Sequence, residues 1–444
     1  MRLNKLSKLS WITIIFLMLG INVSFAQSGF RAAVVKTNIT PETPQWLRGY
    51  NPRQSTGVLD SLYVRIIAMD DGKTQFFLIS TDIVGMPSPE YDRIASILKS
   101  KHGIDPVNVW WSATHTHAAP EIAAHIAGIP YPSMANRSKL AAGHEIDMVY
   151  TAELGQKIID GIIEARGKLV PATIGVGWGF SQANINRRAI DVNGKASLGL
   201  NPGGAVDRRI GLIRIDKADG KPLALIVNYP MHGTVMSGEN TLISGDAPGV
   251  ASKYVEEKIG APVLYFNGAA GNLAPIYSVY ANHRAGHLSQ FRVLLGDRIL
   301  EANKKITTST GDVKIVAGAL TVETPRRKDL DWPADLAKYT STTPSGVNMV
   351  RLPIRFLRLN EEVAIWSAPV ELFCEISNEI RNRSPFQYTF YFGYTNGSLG
   401  YLPTADAWES EGYEPGVSPF TPAVEKDVVE AVSGYLEGEL KSYR

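Results

Sequence analysis

Apolar and polar positions along the chain follow two rhythms, and these divide it into strands and helices. Short β-branched and aromatic runs bounded by Asp, Gly and Asn predict strands, and apolar residues three and four apart predict helices. Residues 30–35 open as a strand. Residues 62–69 and 74–80 flank Asp70-Asp71-Gly72-Lys73 and predict a β-hairpin with a turn built on Asp-Gly. A helix over 88–101 follows, then a strand through Val107-Asn108-Val109-Trp110-Trp111. A helix over 148–166 and a strand over 172–178 lead to Asn184-Ile185-Asn186-Arg187-Arg188. A second hairpin, 210–215 with 223–229, precedes a helix over 248–258 and a strand over 261–267. A third, 351–359 with 363–367, precedes a helix opening at Ala368, an aromatic strand over 388–394 and a closing helix over 423–440. This order predicts an α/β fold of mixed β-sheets with flanking helices, its chemistry at strand ends. No sequence repeat, low-complexity tract or linker divides residues 27–444, so one large catalytic domain is expected there.

The first 26 residues follow neither rhythm. Arg2, Lys5 and Lys8 precede an apolar run over 11–20, and Ser24-Phe25-Ala26 ends it with small residues where a signal peptidase reads. This predicts a secretory signal peptide over 1–26 and a secreted or periplasmic protein. The apolar run is short for a membrane span, and no other segment is long and apolar enough to serve as one. Removing the peptide takes the net charge from +2 to −1, which leaves no concentrated basic surface for nucleic acid. Cys374 is the sole cysteine, which excludes an intramolecular disulfide and a cysteine metal cluster. A metal would have to be held by His, Asp, Glu or Tyr.

Histidines fall where strands end. His115 and His117 follow the Trp110-Trp111 run, and in an extended segment alternate side chains share a face, so both are expected on one side. Taken alone, the pair fits a metal site and a pair of hydrogen-bonded surface histidines equally well. His232 stands where the second hairpin's outgoing strand emerges. Glu371, early in the helix predicted from Ala368, is either a charge favoured by the helix dipole or a carboxylate aimed into a site. Two or three histidines with a carboxylate and an open position make a catalytic zinc arrangement. The metallo-β-lactamase pattern fits worse, since Ala118-Ala119-Pro120 follow the histidine pair. An amidohydrolase barrel would need further histidines and an aspartate at successive strand ends. The turn Gly268-Ala269-Ala270-Gly271-Asn272-Leu273-Ala274-Pro275 lacks the spacing of a phosphate loop. His125 and His144 read as surface residues, and His283 with His287 as a solvated helix start without the glutamate of HExxH. The irregular stretch over 120–150 is expected to form part of a substrate wall.

Together these segments resemble the neutral/alkaline (non-lysosomal) ceramidases, in their amino-terminal catalytic domain, over nearly the whole mature chain. The resemblance is carried by Ser112-Ala113-Thr114-His115-Thr116-His117, Asn184-Ile185-Asn186-Arg187, His232-Gly233-Thr234 and Ile243-Ser244-Gly245-Asp246. Gly271-Asn272-Leu273-Ala274-Pro275, Ala368-Pro369-Val370-Glu371 and Asn396-Gly397-Ser398-Leu399-Gly400-Tyr401 follow in the same order, and then Tyr413. The resemblance implies one Zn2+ per chain, held by His115, His232, Glu371 and Tyr401. It implies that His117 shuttles protons beside the metal, and that Arg187 and Tyr413 face the substrate carbonyl or its oxyanion. Two departures stand out. Ala274 occupies the place where the family usually has serine, so a hydroxyl nucleophile there is excluded while attack by water is not. No counterpart of the carboxy-terminal immunoglobulin-like domain of the best-known members is expected.

The implied activity is zinc-dependent hydrolysis of a linear amide, with ceramide or another N-acyl lipid as substrate. The first rival is a hydrolase of a small non-lipid amide or ester on the same scaffold. The second is a catalytically silent binding protein. A complete set of His115, His117, His232, Glu371 and Tyr401 argues against silence, and Ala274 is the one feature in its favour.

Overall fold

Successive side chains of a strand point to opposite faces, so strands that are apolar throughout must be covered on both sides. The computed structural model describes residues 29–51, 53–123, 147–278, 287–309, 312–330 and 332–443. The expected signal peptide, and His125, His144 and His283, lie outside the described residues. The largest sheet has eight strands, ordered Val263–Asn267, Pro222–Tyr229, Arg209–Lys217, Val170–Phe180, Arg31–Asn38, Tyr63–Asp70, Gln75–Thr81 and Val109–Ala113. Ile67, Met69, Phe76, Leu78 and Trp110 on one of its faces cluster with Leu357, Ile365, Phe390 and Phe392 of a second sheet. Ile66, Ala68, Phe77, Ile79 and Trp111 alternate with them and join a core with Ile94, Leu98, Leu154 and Ile158 of the helices Ser88–His102 and Met148–Gly167. The second sheet runs Ile315–Pro325, Asn348–Leu359, Val363–Ser367, Tyr388–Phe392. Its other face, with Leu352, Ile354 and Trp366, clusters with the helices Cys374–Arg383 and Ala423–Tyr443 through Ile376, Ile380, Val428 and Val432. Helix, sheet, sheet and helix therefore stack in order.

One connection recurs three times: a hairpin, a helix, then a strand parallel to the hairpin's outgoing strand. It joins Gln75–Thr81 to Val109–Ala113, Pro222–Tyr229 to Val263–Asn267, and Val363–Ser367 to Tyr388–Phe392. Parallel neighbours need such a crossover, which places both carboxyl ends at one edge. No repeat is visible in the amino acids, because each copy keeps the connection and not the residues. Two asparagines fasten the exits together. Asn267 accepts the Met231 N–H at 2.9 Å and donates to the carbonyls of Met231 at 2.8 Å and Thr114 at 3.3 Å. Asn396 accepts the Trp111 N–H at 2.8 Å and donates its own backbone N–H to the Trp111 carbonyl at 2.8 Å.

Three local expectations change. The helix expected from Ala368 begins at Cys374, because Pro369 disfavours helical backbone before it and Asn272 caps the Cys374 N–H from another segment at 3.0 Å. The freed stretch Glu371–Leu372 becomes a short strand parallel to Tyr401–Leu402, with Glu371 opposite Tyr401. Asn184–Ile190 pairs with Ala196–Asn201 as a hairpin, and Leu273–Pro275 adds a third strand. Its Asn, Arg and Gly content hides that sheet from propensity.

Arg65 is buried in the large sheet and bonds Asp82 at 3.1 Å and Glu256 at 2.8 Å. Asp82 lies just past the strand Gln75–Thr81, at the edge where the strand exits gather. Arg65→Met would leave Asp82 buried without its cation and is expected to destabilise the fold by about 3–5 kcal/mol. A thermal unfolding midpoint unchanged from wild type would refute this.

Candidate metal centre and active site

The strand Val109–Ala113 stops short of the histidine pair, and His115 takes a left-handed backbone with φ of 67°. Alternation along an extended strand is therefore not how His115 and His117 meet, which corrects the sequence expectation. A turn brings them together instead, with their Nε2 atoms 3.2 Å apart. Tyr394, whose φ is 54°, stacks on the His115 ring with centroids 4.0 Å apart. Left-handed backbone at residues with a side chain costs on the order of 1–3 kcal/mol and persists where the surroundings impose it. Here the Asn267 and Asn396 fastenings supply that constraint.

Two backbone carbonyls orient the imidazoles. His115 Nδ1 meets the Val84 carbonyl at 2.5 Å, and His232 Nδ1 meets the Leu273 carbonyl at 3.0 Å. A carbonyl only accepts, so each proton sits on Nδ1 and each Nε2 presents a lone pair to the centre. Those Nε2 atoms lie 3.3 Å and 3.2 Å from Glu371 Oε2. Among the described residues, buried His232 Nε2 and Glu371 Oε2 have no hydrogen-bond partner. Burial, with Arg187 and His115 adding to it, pushes His232 down to about 3. Burial, then His115 and His232, holds His117 well below the ordinary imidazole value. Neutral imidazoles are the form a metal binds. Ligand nitrogens of His115, His117 and His232 all lie within 4.8 Å of one another. The donor set fits a divalent cation.

Tyr401 reaches the same place as Glu371's neighbour across the short parallel bridge. Its hydroxyl accepts from Arg187 Nη2 at 3.2 Å. Burial raises the Tyr401 phenol well above its usual value, and Arg187 opposes that rise. Arg187 is itself buried, but Tyr401 and Glu414 keep it firmly charged. Glu414 bridges two arginines, accepting from Arg187 Nε at 2.9 Å and Arg188 Nη1 at 2.6 Å. Tyr413 is half-exposed, with its ring edge-on to Tyr401 at 5.6 Å. His115, His117, Glu371, Tyr394, Tyr401 and Tyr413 line one cavity of about 60 Å³, room for reacting atoms. A larger cavity of about 660 Å³, bordered by Tyr63, Lys253 and His287, includes none of them. The donor chemistry, not the volume, marks the site.

The structure thus brings together His115, His117, His232, Arg187, Glu371, Tyr401 and Tyr413. Sequence reading missed Tyr394, for which a tyrosine at a strand exit was the available signal, and Glu414, for which there was none. Ala274 is buried opposite Ile185, and the contribution of its turn is the Leu273 carbonyl on His232. His287 stacks on Tyr277 at 4.4 Å, away from the centre. Residues 124–146 of the expected substrate wall lie outside the described residues.

Residues 32–276 match the family described as neutral/alkaline non-lysosomal ceramidase, N-terminal. The chain is 26% identical over 263 residues to a neutral ceramidase of Pseudomonas aeruginosa, covering 55% of this chain and 37% of that one. It is 29% identical over 185 residues to neutral ceramidase B of Dictyostelium discoideum, covering 41% and 23%. For a neutral ceramidase of Oryza sativa subsp. japonica the figures are 26% over 268 residues, 57% and 32%. The matches therefore span well under two thirds of these relatives' lengths. A solved ceramidase complexed with C2 superposes with a TM-score of 0.73 at 18% identity, covering 94% of this chain and 76% of that one. The crystal structure of the Pseudomonas aeruginosa neutral ceramidase gives 0.72 at 17%, covering 94% and 75%. At such identity the likeness establishes the fold.

Protein purified from zinc-supplemented medium is expected to carry about one divalent ion per chain by elemental analysis. His232→Ala should lose most of it. A well-folded wild type that takes up no divalent metal would end the metal reading.

Proposed function

The chain belongs to the neutral/alkaline non-lysosomal ceramidase family, and from that premise we propose an exported, zinc-dependent hydrolase that cleaves the linear amide of ceramide or another N-acyl lipid. The observation that carries the reading is the buried convergence of His115 Nε2, His232 Nε2 and Glu371 Oε2, with Tyr401 beside Glu371. In this reading those four residues hold one ion. When bound, zinc supplies Lewis acidity, which lowers the pKa of water from 15.7 to about 7 and polarises a carbonyl.

The rest of the work falls to the chain's own residues. His117, neutral and beside His115, takes the proton of the attacking water and returns it to the leaving nitrogen. Arg187 and Tyr413 donate to the amide oxygen as negative charge gathers there. Glu414 is a positioning residue that fixes the plane of the Arg187 guanidinium. Arg187 also stands close enough to Tyr401 to favour its phenolate, which burial alone disfavours. With Ala274 at the family's serine position, water is the nucleophile that the residues support. The export reading rests on the pattern of residues 1–26. No helix among the described residues is long and apolar enough to cross a membrane.

His117→Ala is expected to keep most of the metal while kcat falls by roughly 10²–10⁴. His115→Ala should lose metal and turnover together. Equal metal loss from both variants would make the pair joint ligands and remove the proton-shuttle role. A panel setting ceramide beside water-soluble amides tests the substrate. Activity confined to soluble amides would discard the lipid assignment and leave the mechanism standing.

A further inference from the structure

The hairpin that carries Arg187 runs on past the site and ends in exposed apolar side chains. Its strands are Asn184–Ile190 and Ala196–Asn201. Ile190 is 50% exposed, Leu198 57%, and Val192 in the connecting turn 100%. Arg188 lies opposite Leu198, and Ile190 opposite Ala196, so Ile190 and Leu198 stand on the same face of the hairpin. Val192 is five residues from Arg187, which sets its reach at no more than about 17 Å.

The charges around this tip are already satisfied. The Asp191 carboxylate accepts the N–H groups of Asn193 and Lys195. Lys195 Nζ bonds Glu411 Oε1, and Arg188 is buried against Glu414. The Lys195 and Glu411 charges are exposed and stay at the water boundary if the tip seats only shallowly, whereas three exposed aliphatic side chains gain by leaving water. The tip is also joined to the mouth of the site. Ala196 N–H donates to the Ser410 carbonyl at 2.8 Å, and Arg188 Nη2 to the Glu411 carbonyl at 2.7 Å. Half-exposed Tyr413 comes two residues after Glu411. A narrow convex tip offers a protein partner little complementary area, while a lipid surface demands none.

We propose that this hairpin docks the protein on a lipid surface, with Ile190, Val192 and Leu198 seated among the outermost acyl carbons. Docking there brings Tyr413 and Arg187 to a substrate that resides in the layer. The proposal rests on the N-acyl lipid reading of the site. Seating the tip costs no rearrangement of the site, since strand pairing and the Glu414 bridge already fix the hairpin.

Flotation with phosphatidylcholine vesicles tests it. Wild type should float with the vesicles, and Val192→Asp combined with Leu198→Ser should lower the bound fraction about tenfold. Hydrolysis of a long-chain N-acyl lipid in those vesicles should fall in step. Meanwhile kcat/KM on a short-chain, water-soluble N-acyl amide should stay within about twofold, because a soluble substrate needs no docking. Circular dichroism checks that the variant is folded. Val192→Cys, labelled with a polarity-sensitive dye, adds a second measurement, because Cys374 is the only native cysteine and is buried. Its emission should shift to the blue on vesicles. A wild type that does not float, a double variant that floats equally well, or a label that stays in water would each overturn the docking. Hydrolysis of neither substrate by wild type would overturn the proposed function instead, and flotation and the label would still decide the docking.

Discussion

Two imidazole lone pairs, each within 3.3 Å of one carboxylate oxygen in a buried space, are unfavourable until a cation joins them. That convergence is the constraint on which the rest of the structure depends. The imidazole protons that would relieve it are committed elsewhere, to the carbonyls of Val84 and Leu273. The backbone is held to it against its own preference at His115 and Tyr394. Such an alignment of buried donors could hold a metal ion.

The recurring hairpin–helix–strand unit explains how ligands so distant in sequence arrive together. In the first unit the inner exit supplies the Val84 carbonyl and the parallel strand's exit supplies His115 and His117. In the second the order is reversed, with His232 at the inner exit and the Leu273 carbonyl beyond the parallel strand. The third gives Glu371 from one exit and Tyr394, stacked on His115, from the other. One exit of each unit thus presents a side chain while the other holds an imidazole in place. Asparagine suits the junctions because its amide both donates and accepts, and can tie two chains where the sheet ladder stops.

Hydrophobic alternation made the hairpins and their helices legible, and with them the exits where His115 and His232 emerge. The two histidines could be paired from sequence, but not by the route they take, because the φ of His115 depends on contacts from distant segments. Glu371 was misplaced on a helix because its helix is capped from Asn272, some hundred residues away. Tyr401 was beyond residue patterns altogether: its place comes from a two-residue strand paired with Glu371. Family resemblance supplied Tyr401, Arg187 and Tyr413 as candidates; Tyr401 and Tyr413 line the small cavity, and Arg187 stands behind it, bonded to the Tyr401 hydroxyl. Glu414 left no trace, since a buried carboxylate between two arginines looks in sequence like any surface glutamate.

Ala274, where the family resemblance implies a serine, and the arginine pair bear on the same question, which is whether the centre has the means to act. The turn around residue 274 serves His232 through the Leu273 carbonyl, a main-chain group that the side chain at 274 does not alter. Losing a hydroxyl there leaves the orientation of His232 intact. Charge balance points the same way. Glu414 neutralises one of the two arginines it bridges, so the trio carries one net positive charge beside Tyr401. On the proposed reading, Glu371 and a Tyr401 phenolate together offset a divalent ion. The positive charge of the trio is then left for the amide oxygen, where charge develops and where water is least able to provide it. A protein that only bound its ligand would have no charge developing there for that surplus to stabilise. A hydrolase needs it at the moment the carbonyl is attacked.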